Sequence, residues 1–189
     1  MKETLTLTFK LLLICAVITA LLAWVNVMTE PIIAQNEQSS FQAAMTEVLP
    51  DAGMFTKKEI SNFVPSETGV TINSVYEAER GGAVVSAVSS EGYGGDISIM
   101  VGITEDGKVN QIKVMSMSET PGLGAKSTEP EFAQKYVGLE KGISVIKNSQ
   151  PEGNEIIAIS GATVTSKAVT KAVNGALEAA EFISQKGGK

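Results

Sequence analysis

The sequence predicts an α+β protein in which one transmembrane helix near the N-terminus precedes a single domain with an antiparallel or mixed sheet and flanking helices. Three observations lead to this fold class. Residues 11–29 are uncharged and strongly apolar, apolar residues recur with a period of two from Val70 onward, and the β-branched run 156–159 leads directly into a helical pattern. The 189 residues suffice for one compact domain with an appendage.

The first predicted element is a membrane-spanning helix over residues 11–29. About 20 apolar residues span a bilayer as a helix, and Trp24 near the far end is typical of an interfacial anchor. Lys2 and Lys10 precede the apolar stretch, and no Lys or Arg follows it until Lys57. The positive-inside tendency therefore predicts a single pass with residues 1–10 in the cytoplasm and the rest of the chain outside.

A cleaved signal peptide is the alternative interpretation of this stretch. No clear small-x-small cleavage site ends the apolar run, so we favour an uncleaved anchor. A lipoprotein is less favoured because Ile14 is large where a small residue is expected before a modified cysteine. Cys15 also precedes most of the apolar run instead of ending it.

Residues 30–69 are interpreted as a connecting helix and loop, and the domain is expected to occupy residues 70–189. Glu30-Pro31 is expected to close the membrane span. Residues 51–67 carry mixed signals, and no element is predicted there. A short helix before Pro50 is predicted from apolar residues at helical spacing, namely Phe41, Ala44, Met45, Val48 and Leu49.

The region of period two predicts an antiparallel meander of four strands. Asp106-Gly107, between the last two of these strands, is a strong hairpin signal. A helix over 130–137 follows, and a strand–helix unit completes the domain. The four strands are predicted over 70–76, 83–88, 96–103 and 108–115.

The terminal strand ends in the tetrapeptide 160–163, Ser-Gly-Ala-Thr, where the helical pattern begins. The N–H groups at a helix start lack partners and the helix dipole adds partial positive charge, so this end suits a phosphate. Gly161 permits close approach of the backbone, and Thr163 and Thr165 place hydroxyls at the same end. The plainer alternative is a helix start in which a Ser or Thr serves only as the N-cap.

Composition excludes several classes of function. The net charge is −6, which argues against nucleic-acid binding because that function needs a basic face. The chain has no His, so the commonest metal ligand and general base is missing. Cys15 is the only cysteine, which excludes an intrachain disulfide and a Cys-based metal or iron–sulfur site. No metal site is therefore predicted, and any redox chemistry would come from a bound organic cofactor.

The tetrapeptide 160–163 resembles the flavinylation signature of the FMN-binding domain family, which includes the G subunit of the Rnf electron-transport complex and the C subunit of the sodium-pumping NADH:quinone oxidoreductase. Residues 119–124, Glu-Thr-Pro-Gly-Leu-Gly, resemble the loop that edges the isoalloxazine ring in that family. Residues 92–95, Gly-Tyr-Gly-Gly, resemble the Gly-rich segment with which that family enters the hairpin marked here by Asp106-Gly107. The resemblance covers nearly the whole chain and is greatest to the Rnf member. It departs at Ile157, where the family often has an acidic residue.

The resemblance implies that FMN is bound covalently, through a phosphoester to the hydroxyl of Thr163. N–H groups of the loop 119–124 would donate to flavin carbonyls or N5, with Leu123 packed on the ring. An ordinary surface turn is the alternative for this loop, and a plain β-turn for 92–95. Tyr93 is a candidate for stacking on the flavin, although we favour a half-buried structural tyrosine. The other implied cofactor contacts are Ser160, Gly161, Ala162, Thr165, Glu119, Thr120, Gly122, Gly124 and Gly94.

The resemblance further implies an electron-carrier subunit of a membrane-bound, ion-translocating ferredoxin:NAD oxidoreductase complex in a bacterium or archaeon. The FMN domain would lie on the outer, periplasmic or extracellular, face. The chain would be part of an enzyme complex and not a stand-alone catalyst, with no catalytic residue of its own. Its partners would be membrane, iron–sulfur and flavin subunits of that complex, and a flavin transferase for maturation. Two alternatives stay open, the related sodium-pumping quinone-reductase subunit and a non-redox, membrane-anchored binding or assembly module in which Thr163 is only a cap.

Overall fold

The computed structural model describes residues 2–61, 63–147 and 149–187. Contacts divide the chain into two compact units, Met1–Ala43 and Ala44–Lys189. In the part of the chain that the structure describes, the first unit is helical throughout, and the second contains the sheet. The predicted α+β fold class is confirmed.

Helix α1 spans Lys2–Val48 and contains the one candidate membrane span found in the described residues. Its large apolar side chains between Leu11 and Ile33 are exposed, as expected for side chains that face lipid. The helix continues past Glu30-Pro31, where the membrane span is expected to close, and Pro31 lies inside it. The short helix predicted before Pro50 is the last part of α1. Proline removes one backbone donor but leaves the other hydrogen bonds of a long helix in place.

Five antiparallel strands form the main sheet in the order of the chain. The four predicted strands are confirmed to within two residues at each end. The first strand falls in the segment 51–67 where no element was predicted, and it pairs with the next strand at the sheet edge. The strands are β1 Phe55–Lys58, β2 Val70–Ala78, β3 Ala83–Ser89, β4 Ile97–Ile103 and β5 Val109–Ser116.

Helix α3, Thr163–Gly187, covers one face of this sheet. Alternate residues of β4, such as Ile99 and Val101, are buried in one apolar cluster with Val169 and Val173 of α3. Full burial of an aliphatic side chain of this size contributes about 1.5–3 kcal/mol, so the apolar stripe of α3 fixes the helix on the sheet.

The opposite face of β4 lies against the end of α1. A Cβ at Gly102 would lie only 2.0 Å from the carbonyl oxygen of Val48, so only glycine allows this approach. The side-chain amide of Asn110, on β5, donates to the same carbonyl at 2.8 Å. The sheet of the second unit is therefore covered on both faces.

Four short elements complete the domain. A 3₁₀ helix, Gly124–Thr128, precedes α2, Pro130–Gln134, which is shorter than the helix predicted over 130–137. Strands β6, Ser144–Ile146, and β7, Glu155–Ile157, form a separate parallel pair. Strand β7 delivers the chain to the start of α3.

Candidate functional site

The start of α3 is shaped by a tight turn after β7. Gly161 has a φ of +76°, a conformation that only glycine adopts without strain. The N–H of Ser166 donates to the carbonyl of Ala162 at 3.0 Å, so Ala162 is the N-cap and Thr163 is the first helical residue. The N–H groups of residues 163–165, in the first turn, have no acceptor within the helix. This end of α3 therefore presents donors and the positive end of a helix dipole.

Ser166 closes the turn with its side chain. Its hydroxyl accepts the N–H of Ile159 at 3.0 Å and donates to the carbonyl of Ala162 at 2.9 Å. Ser160, which we considered as a capping residue, is exposed, and its hydroxyl has no hydrogen-bond partner among the described residues. Sequence reasoning missed Ser166 because only its contacts, and not its residue type, distinguish it from the hydroxyls around it.

The three predicted hydroxyls differ sharply in their surroundings. Ser160 is exposed before the turn, Thr163 is half-buried at the first helical position, and Thr165 is only 1% exposed. The hydroxyl of Thr165 donates to Glu119 Oε2 at 2.9 Å. Thr165 is therefore directed into the protein, whereas Thr163 remains accessible at the helix start.

The loop 119–124 forms a type II turn. The N–H of Leu123 donates to the carbonyl of Thr120 at 3.2 Å, and Gly122 at the third position has a φ of +77°. The N–H of Ala125 donates to the same carbonyl. No internal acceptor is found in the described chain for the N–H groups of Gly122 and Gly124. Gly122 is exposed, so its N–H remains available to a ligand, whereas Gly124 is buried beside Glu119 and Thr165.

Glu119 brings the predicted segments together. Its Oε1 accepts the N–H of Gly94 at 3.2 Å, and its Oε2 accepts the hydroxyl of Thr165. At the other end of the loop, Leu123 Cδ2 lies 3.0 Å from where a Cβ at Gly161 would be. The Gly-rich loop 92–95, the loop 119–124 and the start of α3 are thus neighbours in space, although Glu119 itself is engaged with protein groups.

Exposed apolar side chains border this region. Tyr93 is 75% exposed, Leu123 43% and Val164 50%. The half-buried role that we favoured for Tyr93 is wrong, because the loop 92–95 turns its side chain away from the core. Val164 was not predicted as a site residue, and its signal is an apolar residue directly after Thr163 on an exposed helix start. These side chains suit a flat apolar ligand.

Two lysines lie close to the start of α3, Lys167 in the sequence and Lys135 in space. Lys167 is one turn after Thr163, is exposed, and forms no ion pair within the described residues. Lys135 donates to the carbonyl of Ile157 at 3.0 Å and lies 5.5 Å from the ring centroid of Phe132. The position where the family often has an acid is therefore close to a cation in this chain.

A cavity of about 700 Å³ lies elsewhere, beside the C-terminal half of α3 and the turns 79–82 and 104–107. It contains none of the predicted site residues, and its lining is rich in carboxylates. The site assembled around the start of α3 is open to solvent and is defined by contacts between loops, so cavity size is a poor guide to it.

The donors at the start of α3, the free N–H of Gly122 and the exposed apolar side chains together fit a flavin with a phosphate tail. Residues 92–178 match the FMN-binding domain family, and residues 2–48 match the RnfG N-terminal region. The resemblance to the FMN-binding domain family is thus confirmed.

Relatives that match most of this chain are subunits of ion-translocating oxidoreductase complexes. The chain is 34% identical to the G subunit of the Na⁺-translocating ferredoxin:NAD⁺ oxidoreductase complex of Acetobacterium woodii, over 94% of this chain and 93% of that one. It is 31% identical to the G subunit of the proton-translocating ferredoxin:NAD⁺ oxidoreductase complex of Clostridium ljungdahlii, over 91% and 89%. A solved structure of the C subunit of the Na⁺-translocating NADH-quinone reductase from Parabacteroides distasonis matches 57% of this chain and 59% of that one, with 23% identity and a TM-score of 0.47. The chain therefore belongs to the RnfG family, the G subunits of ion-translocating oxidoreductase complexes, and it carries an FMN-binding domain.

Proposed function

We propose that this protein is the FMN-carrying electron-transfer subunit of a membrane-bound, ion-translocating ferredoxin:NAD oxidoreductase complex. The FMN is linked through its phosphate to the hydroxyl of Thr163. The observation that carries this proposal is the position of Thr163, an accessible hydroxyl at the first residue of α3 within the FMN-binding domain. First-turn N–H groups without intrahelical partners surround a phosphate at that position.

The surroundings of the other hydroxyls support Thr163 as the attachment residue. Thr165 is buried, and its hydroxyl is held by Glu119. Ser160 lies before Gly161, outside the helix, where the N–H groups of the first turn do not converge. Ala162 is the N-cap, so the alternative in which Thr163 serves only to cap the helix has no support in the geometry.

The chain's own residues would bind and orient the cofactor. FMN, when bound, supplies the one-electron transfer chemistry. The start of α3 would hold the phosphate, and the free N–H of the exposed Gly122 would be available to the polar edge of the ring. Leu123 and Tyr93 offer apolar surface to its faces. A covalent link keeps the cofactor from diffusing away, which matters on the outer side of a membrane.

The membrane arrangement follows from the charge asymmetry of the N-terminus. Lys2 and Lys10 precede the span, so the second unit lies on the outer face of the cell membrane. The exposed side of the flavin site then faces the other membrane, iron–sulfur and flavin subunits of the complex. Maturation would be carried out by a separate flavin transferase, as the resemblance to the FMN-binding domain family implies.

The test is coexpression of the full chain with a flavin transferase, followed by denaturation and peptide mass spectrometry. We expect the segment 160–166 to be heavier by one FMN less one water, with fragment ions that place the increment on Thr163. Thr163→Ala should abolish covalent flavin and cost at most about 1 kcal/mol of stability. Ser160→Ala is the matched control and should retain the flavin. An increment on Thr165, or flavin that survives denaturation in Thr163→Ala, would contradict the proposal.

A further inference from the structure

We propose that Glu119 is a positioning residue of the flavin site, which it serves by joining three segments of the domain and by holding one negative charge beside the ring-edge loop 119–124. The part that concerns the flavin rests on the function proposed above. The two hydrogen bonds that Glu119 makes to the other segments, which we call the joint, are present in the protein without any cofactor.

Both carboxylate oxygens of Glu119 are engaged. Oε2 accepts the hydroxyl of Thr165 at 2.9 Å, across 46 residues of sequence, and Oε1 accepts the N–H of Gly94 at 3.2 Å, across 25 residues. One side chain thus bonds the start of α3 and the Gly-rich loop 92–95 to the loop that carries it. A charged acceptor forms stronger hydrogen bonds than a neutral one, so these contacts hold the segments in one arrangement.

Two glycines make room for this carboxylate. A Cβ at Gly92 would lie 2.9 Å from Glu119 Oε1, although the carbonyl oxygen of Gly95 is nearer, at 2.2 Å. A Cβ at Gly124 would lie 2.4 Å from Oε2 and 2.7 Å from the hydroxyl oxygen of Thr165. Neither glycine has a positive φ. At position 92 the turn 92–95 itself also excludes a side chain, whereas at position 124 the space is filled by Glu119 and Thr165.

The charge of Glu119 has no cation to balance it. Among the described residues, no lysine or arginine forms an ion pair with this side chain, and its two partners are a neutral hydroxyl and an amide. A fixed negative charge near a flavin disfavours the addition of an electron to the ring. Glu119 therefore lowers the midpoint potential in addition to fixing the position of the loop.

Substitution separates the two effects. In Glu119→Gln the amide oxygen can accept the N–H of Gly94 while the NH₂ group donates to Thr165 Oγ1, so the joint is kept and the charge is lost. Glu119→Ala removes both the joint and the charge. Thr165→Val removes one bond of the joint and keeps the charge. Glu129→Gln is the matched control, because Glu129 is an exposed carboxylate that follows the same loop closely in the chain.

The first arm measures amide hydrogen exchange in the full chain without flavin transferase. We expect faster exchange of residues 120–125 in Glu119→Ala and Thr165→Val, and wild-type exchange in the Gln variant and the control. The second arm measures midpoint potential and flavin fluorescence after flavinylation. The potential should rise in Glu119→Gln, fluorescence should change in Glu119→Ala, and covalent attachment should persist in both.

The outcomes separate this proposal from the one on which it rests. A wild-type chain without covalent flavin would overturn the proposed function. The amide hydrogen exchange measurement would still show whether the joint holds the three segments together. If the wild-type chain carries covalent flavin, and amide exchange of residues 120–125 is unchanged in Glu119→Ala and Thr165→Val, then the joint does not hold these segments in place. A potential that moves as far in the Glu129→Gln control as in Glu119→Gln would overturn the role of the charge.

Discussion

The phenol of Tyr136 and the hydroxyl of Thr170 lie 2.8 Å apart in the core between α2 and α3. Thr170 donates its own proton to the carbonyl of Ser166 at 2.8 Å, so Tyr136 is the donor in the first bond. Tyr136 is completely buried, and this burial raises the pKa of its phenol far above the ordinary value of 10.0. The relationship ties the segment after α2 to the first turns of α3, close to the candidate site.

Tyr136 should make stability depend on pH at the alkaline end. In the unfolded chain the phenol loses its proton near its ordinary pKa of about 10, whereas in the folded chain it stays protonated. This contribution to the free energy of unfolding is therefore complete below about pH 10 and is lost as pH rises toward the raised pKa. Denaturant unfolding of the full chain in detergent, at about pH 8 and about pH 11, measures the loss.

Tyr136→Phe should remove that part of the alkaline dependence and cost about 1 kcal/mol near neutral pH through the lost hydrogen bond. Tyr93→Phe is the control, because Tyr93 is 75% exposed and lies outside the core. Equal alkaline slopes in wild-type protein and Tyr136→Phe would contradict this account.

Gly124→Val should disturb the ring-edge loop without preventing attachment. A side chain at position 124 would collide with Glu119 and Thr165, so the loop must move away from α3. Absorbance, fluorescence and midpoint potential of the bound flavin should all change, while the mass increment on Thr163 remains. A variant with the wild-type spectrum and potential would show that this loop does not contact the cofactor.

Lys167 should stabilise the bound phosphate. It lies four residues after Thr163, on the same face of α3, and has no ion-pair partner in the described chain. Lys167→Ala should reduce the extra stability of the flavinylated protein over the unmodified protein by about 0.3–1 kcal/mol. Lys57→Ala, at an exposed position of β1, is the control for loss of one positive charge. An equal reduction in both variants would argue against a local effect.

The orientation of the second unit can be tested with protease. Lys147 lies in an exposed segment between β6 and β7, so trypsin added to intact spheroplasts should cleave the domain if it lies outside the cytoplasm. A cytoplasmic marker protein should remain intact in the same sample. Protection until the cells are lysed would reverse the predicted topology.

The main sheet could be predicted because its strands are rich in apolar and β-branched residues and Asp106-Gly107 marks a hairpin, although β3 and β4 are buried at nearly every residue. Strand β1 could not, because Phe-Thr-Lys-Lys is too short to show a period and its pairing with β2 is the reason that it is a strand. The uninterrupted α1 was missed for a related reason. A proline is a local signal, whereas the packing of residues 44–48 on the sheet is not visible in the sequence.

The candidate site divides in the same way. The segments around Tyr93, Gly122 and Thr163 each carry a local pattern, and the structure brings them together. The bond between Glu119 and Thr165 could not be predicted, because it joins residues 46 apart whose approach depends on sheet register and on the packing of α3. Residue type alone also could not show that the hydroxyl of Thr165 is engaged in a protein contact.

The joint at Glu119 bears on when, during synthesis of the chain, the flavin can be attached. Its partners are distributed along the chain from Gly94 to Thr165, so the joint forms only after Thr165 has been synthesised. A chain cut short before Thr165 also lacks α3, and with it the first-turn N–H groups that are proposed to receive the phosphate. Such a chain would not receive the flavin. Covalently bound flavin would then distinguish completed domains from incomplete ones.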